Sequence, residues 1–188
     1  MANTKRLFAA VKIIPTGQFP VIYNQIKAAL GHEKITWVNP SAMHLTIKFF
    51  GETYVKDIPA IDRSLQKATS GFPSFELAVK DTGLFGSRYQ PRVIWFGIEA
   101  GLHLQTLFGS VTEQLETIGI FPDRQNFVPH LTIGRIKEIK DNKNFQLVMD
   151  RHRTHDSGSQ TINELVLYES LLQRDGPVYT PVHRYGFS

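Results

Sequence analysis

The sequence predicts a mixed α and β chain folded into two similar lobes. Two observations carry that reading. Strand-like and helix-like segments alternate along the 188 residues, and the tetrapeptide His-Leu-Thr-Ile occurs twice, at residues 44–47 and 130–133. The copies lie 86 residues apart (130 − 44), about half the chain. That period speaks for an internal duplication, because a solenoid needs several shorter repeats.

Residues 7–14 are apolar and rich in β-formers, which predicts a first strand. Lys5 and Arg6 ahead of an apolar run resemble a secretion signal, but Lys12 interrupts the run and no small-residue cleavage site follows. Across 20–30, Ile22, Ile26 and Leu30 recur every four residues, a helical stripe stopped by Gly31. The first repeat sits in a strand at 43–50, bounded by Pro40-Ser41 and Gly51. Asp57 stands as a helix cap with Pro59 in the first turn. Ile58, Ile61, Leu65 and Ala68 face one side of that helix, and Gly71 and Pro73 end it. Strands at 75–84 and 92–98 flank a loop at 86–91. Leu104, Leu107, Phe108, Val111, Leu115 and Ile118 lay out a long amphipathic helix ending at Gly119. The second repeat opens a strand at 130–136. A short helix is expected over 142–151, a mobile loop over the polar run 154–160, and strands over 162–172 and 178–187.

Composition excludes several classes. With 41% hydrophobic and 20% charged residues, the chain is neither disordered nor collagen-like. At this length it buries roughly 70% of its unfolded surface, enough for one domain over 1–188. There is no cysteine, so disulfides, thiolate metal sites and a cysteine nucleophile are out. No apolar run reaches the roughly 18 residues that span a bilayer, and no membrane partner is expected. A net charge of +4 mildly favours phosphate-bearing partners. No Lys/Arg run exceeds two residues, so a long duplex-binding footprint is not expected.

The repeated motif carries the chemistry. In a strand, residues i and i+2 share a face. His44 and Thr46 therefore lie on one face, with Leu45 and Ile47 on the other; His130 and Thr132 behave likewise. The apolar pairs can anchor each strand on a core. The polar pairs then need water or a ligand, because an unpaired buried imidazole or hydroxyl is costly. Either motif alone is more simply a strand whose histidine is satisfied by backbone or water. Two identical polar faces need a shared reason. If the lobes face each other across a groove, one neutral imidazole can take a proton from attacking water while the other, protonated, gives one to the leaving oxygen. The threonine hydroxyls can hold the phosphate oxygens. A cyclic phosphate suits this device, since its strained ring lets two proton-transfer groups suffice without a metal.

At these residues the sequence resembles the RNA 2′,3′-cyclic phosphodiesterase family, historically the 2′-5′ RNA ligases, of the two-histidine phosphoesterase superfamily. The resemblance spans nearly the whole chain. It includes Arg6-Leu7-Phe8-Ala9-Ala10, Trp37-Val38, residues 44–52, Pro91-Arg92-Val93-Ile94-Trp95, residues 129–135, Leu167-Tyr168-Glu169-Ser170, and the later Gly176 and Tyr179. Phe50 stands where the family often has leucine. The resemblance implies an α+β, bilobal fold, with two pseudo-symmetric antiparallel-rich sheets lining a central cleft and helices outside. It implies hydrolysis of an RNA-terminal 2′,3′-cyclic phosphate to a 2′-phosphate, without cofactor or metal. His44 would be the acid that protonates the departing 3′ oxygen and His130 the base that activates water, although the sequence itself treats the two symmetrically. Thr46 and Thr132 would bind the phosphate. The implied partners are RNA ends or oligonucleotides with a 2′,3′-cyclic phosphate, tRNA fragments among them. The implied setting is RNA processing by a monomer in the cytoplasm.

Other residues carry weaker expectations. Arg135 follows His130 by five, an odd offset that puts it on the opposite face of a regular strand unless the strand bends; the resemblance makes it a candidate phosphate contact. Phe8 and Phe49 are candidates for stacking on a nucleobase, with core packing as the simpler reading; Trp37 and Trp95 share that ambiguity. Arg88 and Arg92 flank a loop and could touch the RNA backbone. His152 and His155, three apart beside Asp156, have a spacing that a metal site could use, though a loop is preferred there. His32, His103 and His183 read as surface or capping residues. No phosphate-binding glycine loop with lysine is present, so an ATP-dependent ligase of that type has no support. The competing functions are 2′-5′ RNA ligation or its reversal, and a non-catalytic nucleotide- or RNA-binding module. Binding alone would not require an acid and a base.

Overall fold

The structure is a computed structural model and describes residues 3–87, 89–122, 128–173 and 176–188. The elements run β1 (Thr4–Lys12), α1 (Phe19–Ala29), β2 (Lys34–Trp37), β3 (His44–Tyr54), α2 (Ile58–Thr69), β4 (Phe75–Gly86), β5 (Pro91–Glu99), α3 (Gly101–Glu116), β6 (His130–Glu138), α4 (Asn142–Arg151), β7 (Asp156–Ile162), β8 (Glu164–Gln173) and β9 (Gly176–Gly186). The strands form two antiparallel sheets, ordered β3-β1-β8-β9 and β2-β6-β5-β4-β7. This is the α+β, two-sheet architecture expected.

Strand β1 shows why a continuous apolar run was needed. Leu7, Ala9 and Val11 join the main core on one face, while Phe8 and Ala10 join Val166 and Tyr168 in a small cluster on the other. A central strand covered on both faces reads as unbroken hydrophobicity. Helix α1 buries Ile26, and Leu30 at its C-cap, as expected; Phe19 and Tyr23 widen the buried face, and Ile22 packs partly against the core at its edge. Helix α2 buries Ile58, Ile61, Leu65 and Ala68 as expected. Asp57 does sit at its N-cap, but its carboxylate makes no capping bond, because the chain is already wound into a 3₁₀ turn at Val55–Asp57. Helix α3 stops at Glu116, which leaves Ile118 on the surface.

The two halves do not fold as separate strand-helix-strand units. They exchange elements. β2, from the first half, pairs with β6 in register from Ile35↔Ile136 to Trp37↔Gly134. β8 and β9, from the second half, complete the first sheet. Helix α1 packs against α4 and β7, and α2 against α3 and β9. The segment before the first motif is therefore tied to the strand that carries the second, and the buried apolar side chains of both sheets merge into one core.

The expected loop over 154–160 is instead edge strand β7, paired with β4. Its polarity is that of an edge whose outer face is solvated. Its Gln160 side chain accepts from the Ile14 N–H at 2.7 Å and donates to the Lys12 carbonyl at 2.8 Å, linking the sheets.

One glycine decides whether β4 and β5 can pack. Gly83 is paired with Trp95, and a Cβ at Gly83 would overlap the indole ring. We expect Gly83→Ala to destabilise the protein by about 1–3 kcal/mol, the range for overpacking. A lowered urea midpoint with an unchanged slope is the expected reading.

Candidate active site

Pairing across the sheets fixes which side chains share a face. On β1, residues 6, 8, 10 and 12 alternate onto one side, and their partners on β3 are Glu52, Phe49, Thr46 and His44. On β5, residues 93, 95 and 97 share a side, and their partners on β6 are Arg135, Thr132 and His130. Both registers slip just after the threonine: Ile47 on β3 and Ile133 on β6 are each left without a directly opposed partner. Such a bulge reverses the alternation beyond it. The residue five after each histidine thus returns to the histidine's own face. In the first lobe it is Phe49 and in the second Arg135.

These faces meet. Strands β3 and β6 approach within 8 Å between Cα atoms. His44, Thr46, Phe49, His130, Thr132 and Arg135 all line one groove of about 970 Å³. The odd offset that spoke against Arg135 is resolved by the bulge.

The two imidazoles are held in the same way. His44 Nδ1 lies 2.8 Å from the Ala42 carbonyl, and His130 Nδ1 lies 2.7 Å from the Val128 carbonyl. A carbonyl oxygen only accepts, so each Nδ1 carries the hydrogen. In the neutral ring the lone pair is therefore on Nε2, and in the charged ring Nε2 is the available donor. For His44 the tethering carbonyl is supplied by the 3₁₀ turn Pro40–Ala42, capped by Asn39 Oδ1 accepting from the Ser41 N–H at 3.0 Å.

The surroundings make the pair unequal. His44 lies 4.7 Å from the Phe8 ring and 5.0 Å, edge to face, from Tyr179, while Phe8 also stacks on Tyr168 at 5.3 Å. His130 has one aromatic neighbour among the described residues, the Phe85 ring at 4.7 Å. Burial pushes the His44 imidazole below its usual value; the Ala42 carbonyl pulls it back and the Arg135 charge lowers it further. The folded chain thus takes up this proton less readily than the unfolded one. The stability contributed by neutral His44 is complete above about pH 6.5 and is lost as pH falls from there through the lower folded-state pKa. An NMR titration should place the His44 midpoint below 6.5; a midpoint above it would contradict this account of the site.

The remaining sequence expectations divide. Phe8 is 3% exposed beneath His44, Tyr168 and Tyr179, so it cannot stack on a nucleobase and serves as the shelf for the imidazole. Phe49 is 45% exposed on the groove, with the Arg6 guanidinium 5.2 Å from its ring centre. Trp37 lines the groove edge-on to Tyr23, whereas Trp95 lies over Gly83 and beside Phe85. Arg92 is exposed and outside the groove wall; Arg88 lies outside the described residues. The ring nitrogens of His155 are engaged by Thr82 Oγ1 at 2.8 Å and Ser157 Oγ at 2.9 Å, and His152 Nδ1 donates to the Val148 carbonyl at 2.9 Å. Those hydrogen bonds tie the two histidines to β4, β7 and the end of α4. Tyr179 and Tyr168, from the C-terminal hairpin, are site residues that sequence periodicity did not single out.

A groove between the two sheets, with one imidazole and one threonine from each, is the arrangement that the repeated motif predicts for a two-histidine phosphoesterase. The family model described as LigT like Phosphoesterase matches residues 15–95 and 98–179, one match around each motif. The chain belongs to the LigT-like phosphoesterase family. An RNA 2′,3′-cyclic phosphodiesterase of Thermotoga maritima is 35% identical over 81% of this chain and 79% of its own length. One from Aquifex aeolicus is 32% identical over 79% and 80%. Among solved structures, E. coli LigT complexed with 3′-AMP superposes with a TM-score of 0.74 at 24% identity, covering 98% of this chain and 99% of that one. TT0787 of Thermus thermophilus gives 0.74 at 23%, with 97% of each chain covered.

Proposed function

We propose that this protein hydrolyses RNA-terminal 2′,3′-cyclic phosphates to 2′-phosphates with a histidine acid–base pair and no metal. The carrying observation is that both imidazoles are tethered through Nδ1 at the wall of one groove, which leaves each Nε2 to handle a proton. The named activity of the relatives supports the same reading. His130 Nε2 takes a proton from water as its oxygen bonds to phosphorus. The bond from phosphorus to the 3′ oxygen breaks, and His44 Nε2 delivers the proton to that oxygen. The arriving phosphodiester charge favours the protonated form of His44 and offsets the effect of its burial. Arg135, Thr46 and Thr132 hold the non-bridging oxygens, where charge accumulates. Cellular RNA ends, tRNA fragments among them, are the substrates, and the cytoplasm is the setting this reading implies.

The test is to incubate chelator-treated protein with an oligoribonucleotide ending in a 2′,3′-cyclic phosphate and to identify the product. A 2′-phosphate is expected. A 3′-phosphate, or bound but unchanged RNA, would overturn the reading.

A further inference from the structure

Among the described residues that line the groove, every formal charge is positive: Lys12, Lys48, Arg135 and Arg184. Three of these have local tasks. Lys48 Nζ donates to the Phe121 carbonyl at 2.8 Å, Arg184 pairs with Glu164, and Arg135, on the groove wall with both histidines, is the phosphate contact proposed above. Lys12 has no such task. It is exposed at the end of β1, directly paired with His44 across the sheet, and it makes no ion pair among the described residues. A second hollow of about 350 Å³ opens beside the groove, walled by Ile14, Pro15, Pro20 and Pro40, with Lys12 and Ser41 common to both cavities. Ile14 is 58% exposed there. An apolar wall can cover the flat face of a base while a neighbouring cation meets its phosphate, and here the two adjoin the groove.

We propose that Lys12 and this hollow form a second nucleotide subsite, which binds the nucleotide on the 5′ side of the cyclic end. The Lys12 ammonium takes the penultimate phosphodiester and the Ile14–proline wall takes its base. The proposal rests on the phosphodiesterase reading above and sharpens it. A cyclic mononucleotide carries one phosphodiester charge, which Arg135 and the threonines already meet, so Lys12 has work only when a second phosphate is present. The preferred substrate is then an oligonucleotide end rather than a free cyclic nucleotide.

The experiment compares kcat/KM for a 2′,3′-cyclic mononucleotide, the same nucleotide bearing a 5′-phosphate, and a dinucleotide with the same cyclic end. The wild type should prefer the dinucleotide to the mononucleotide by about tenfold or more, as one charge-assisted hydrogen bond supplies. The 5′-phosphate alone should recover part of that preference, and added salt should erode it. In Lys12→Ala and Ile14→Glu the dinucleotide-to-mononucleotide ratio should fall towards one. Because the readout is a ratio on one preparation, partial misfolding lowers both arms and leaves it unchanged. Equal use of both substrates by the wild type would overturn the subsite while sparing the phosphodiesterase reading. A preference that survives both substitutions would overturn its location. Turnover of neither substrate would overturn both.

Discussion

Replacing His44 or His130 by alanine is expected to abolish turnover of a 2′,3′-cyclic phosphate while the protein stays folded. Each proton transfer is worth about 10²–10⁴-fold in rate, so each single variant should lose at least the lower figure. The two losses should not multiply. Once one transfer fails, the other has no concerted step to serve, and the double variant should resemble the worse single one. Both variants should keep their circular dichroism and most of their stability. Each ring is held by one backbone carbonyl and by aromatic contacts at the groove wall, not within the main core. His103→Ala is the control, since that imidazole stacks on Phe75 away from the groove. Activity within tenfold of the parent in either active-site variant would remove the acid–base pair as the source of catalysis.

That experiment could have been designed from the sequence. A strand puts i and i+2 on one face, so two copies of His-Leu-Thr-Ile declare two polar faces over two apolar ones. The burial agrees: Leu45, Ile47, Leu131 and Ile133 are all at most 3% exposed. Helix α4 and the buried face of α2 were equally legible, because their apolar periodicity is local.

What the sequence hid was non-local. β2 is four residues long and β7 is polar, so neither has a strand-length apolar pattern; each exists because a neighbouring strand offers its edge. The exchange of elements between the lobes has no sequence signature either, since pairing partners are chosen by tertiary packing. Phe8 was visible as an aromatic on β1. The rings that enclose it come from β8 and β9 and turn it from a nucleobase platform into the support of His44. Above all, a bulge cannot be read from alternation, because it is the point where alternation fails.

The bulge after Thr132 sets the second large expectation. Arg135→Gln should lower kcat/KM by about 10–100-fold, the loss for removing a charge-assisted hydrogen bond to an anionic phosphate. Arg135→Lys should recover only part, because an ammonium keeps the charge without the two-pronged geometry. The pH profile adds a readout that lost binding alone would not give. Arg135 lowers the His44 pKa, so removing its charge must raise it. The limb of the activity profile that reports His44 should therefore move to higher pH in Arg135→Gln, whichever role that imidazole has. Such a shift ties the guanidinium to the imidazole of His44 at the reacting centre. An unmoved profile would mean that Arg135 acts on neither histidine, and that the slip at Ile133 does not deliver its guanidinium to the reacting phosphate.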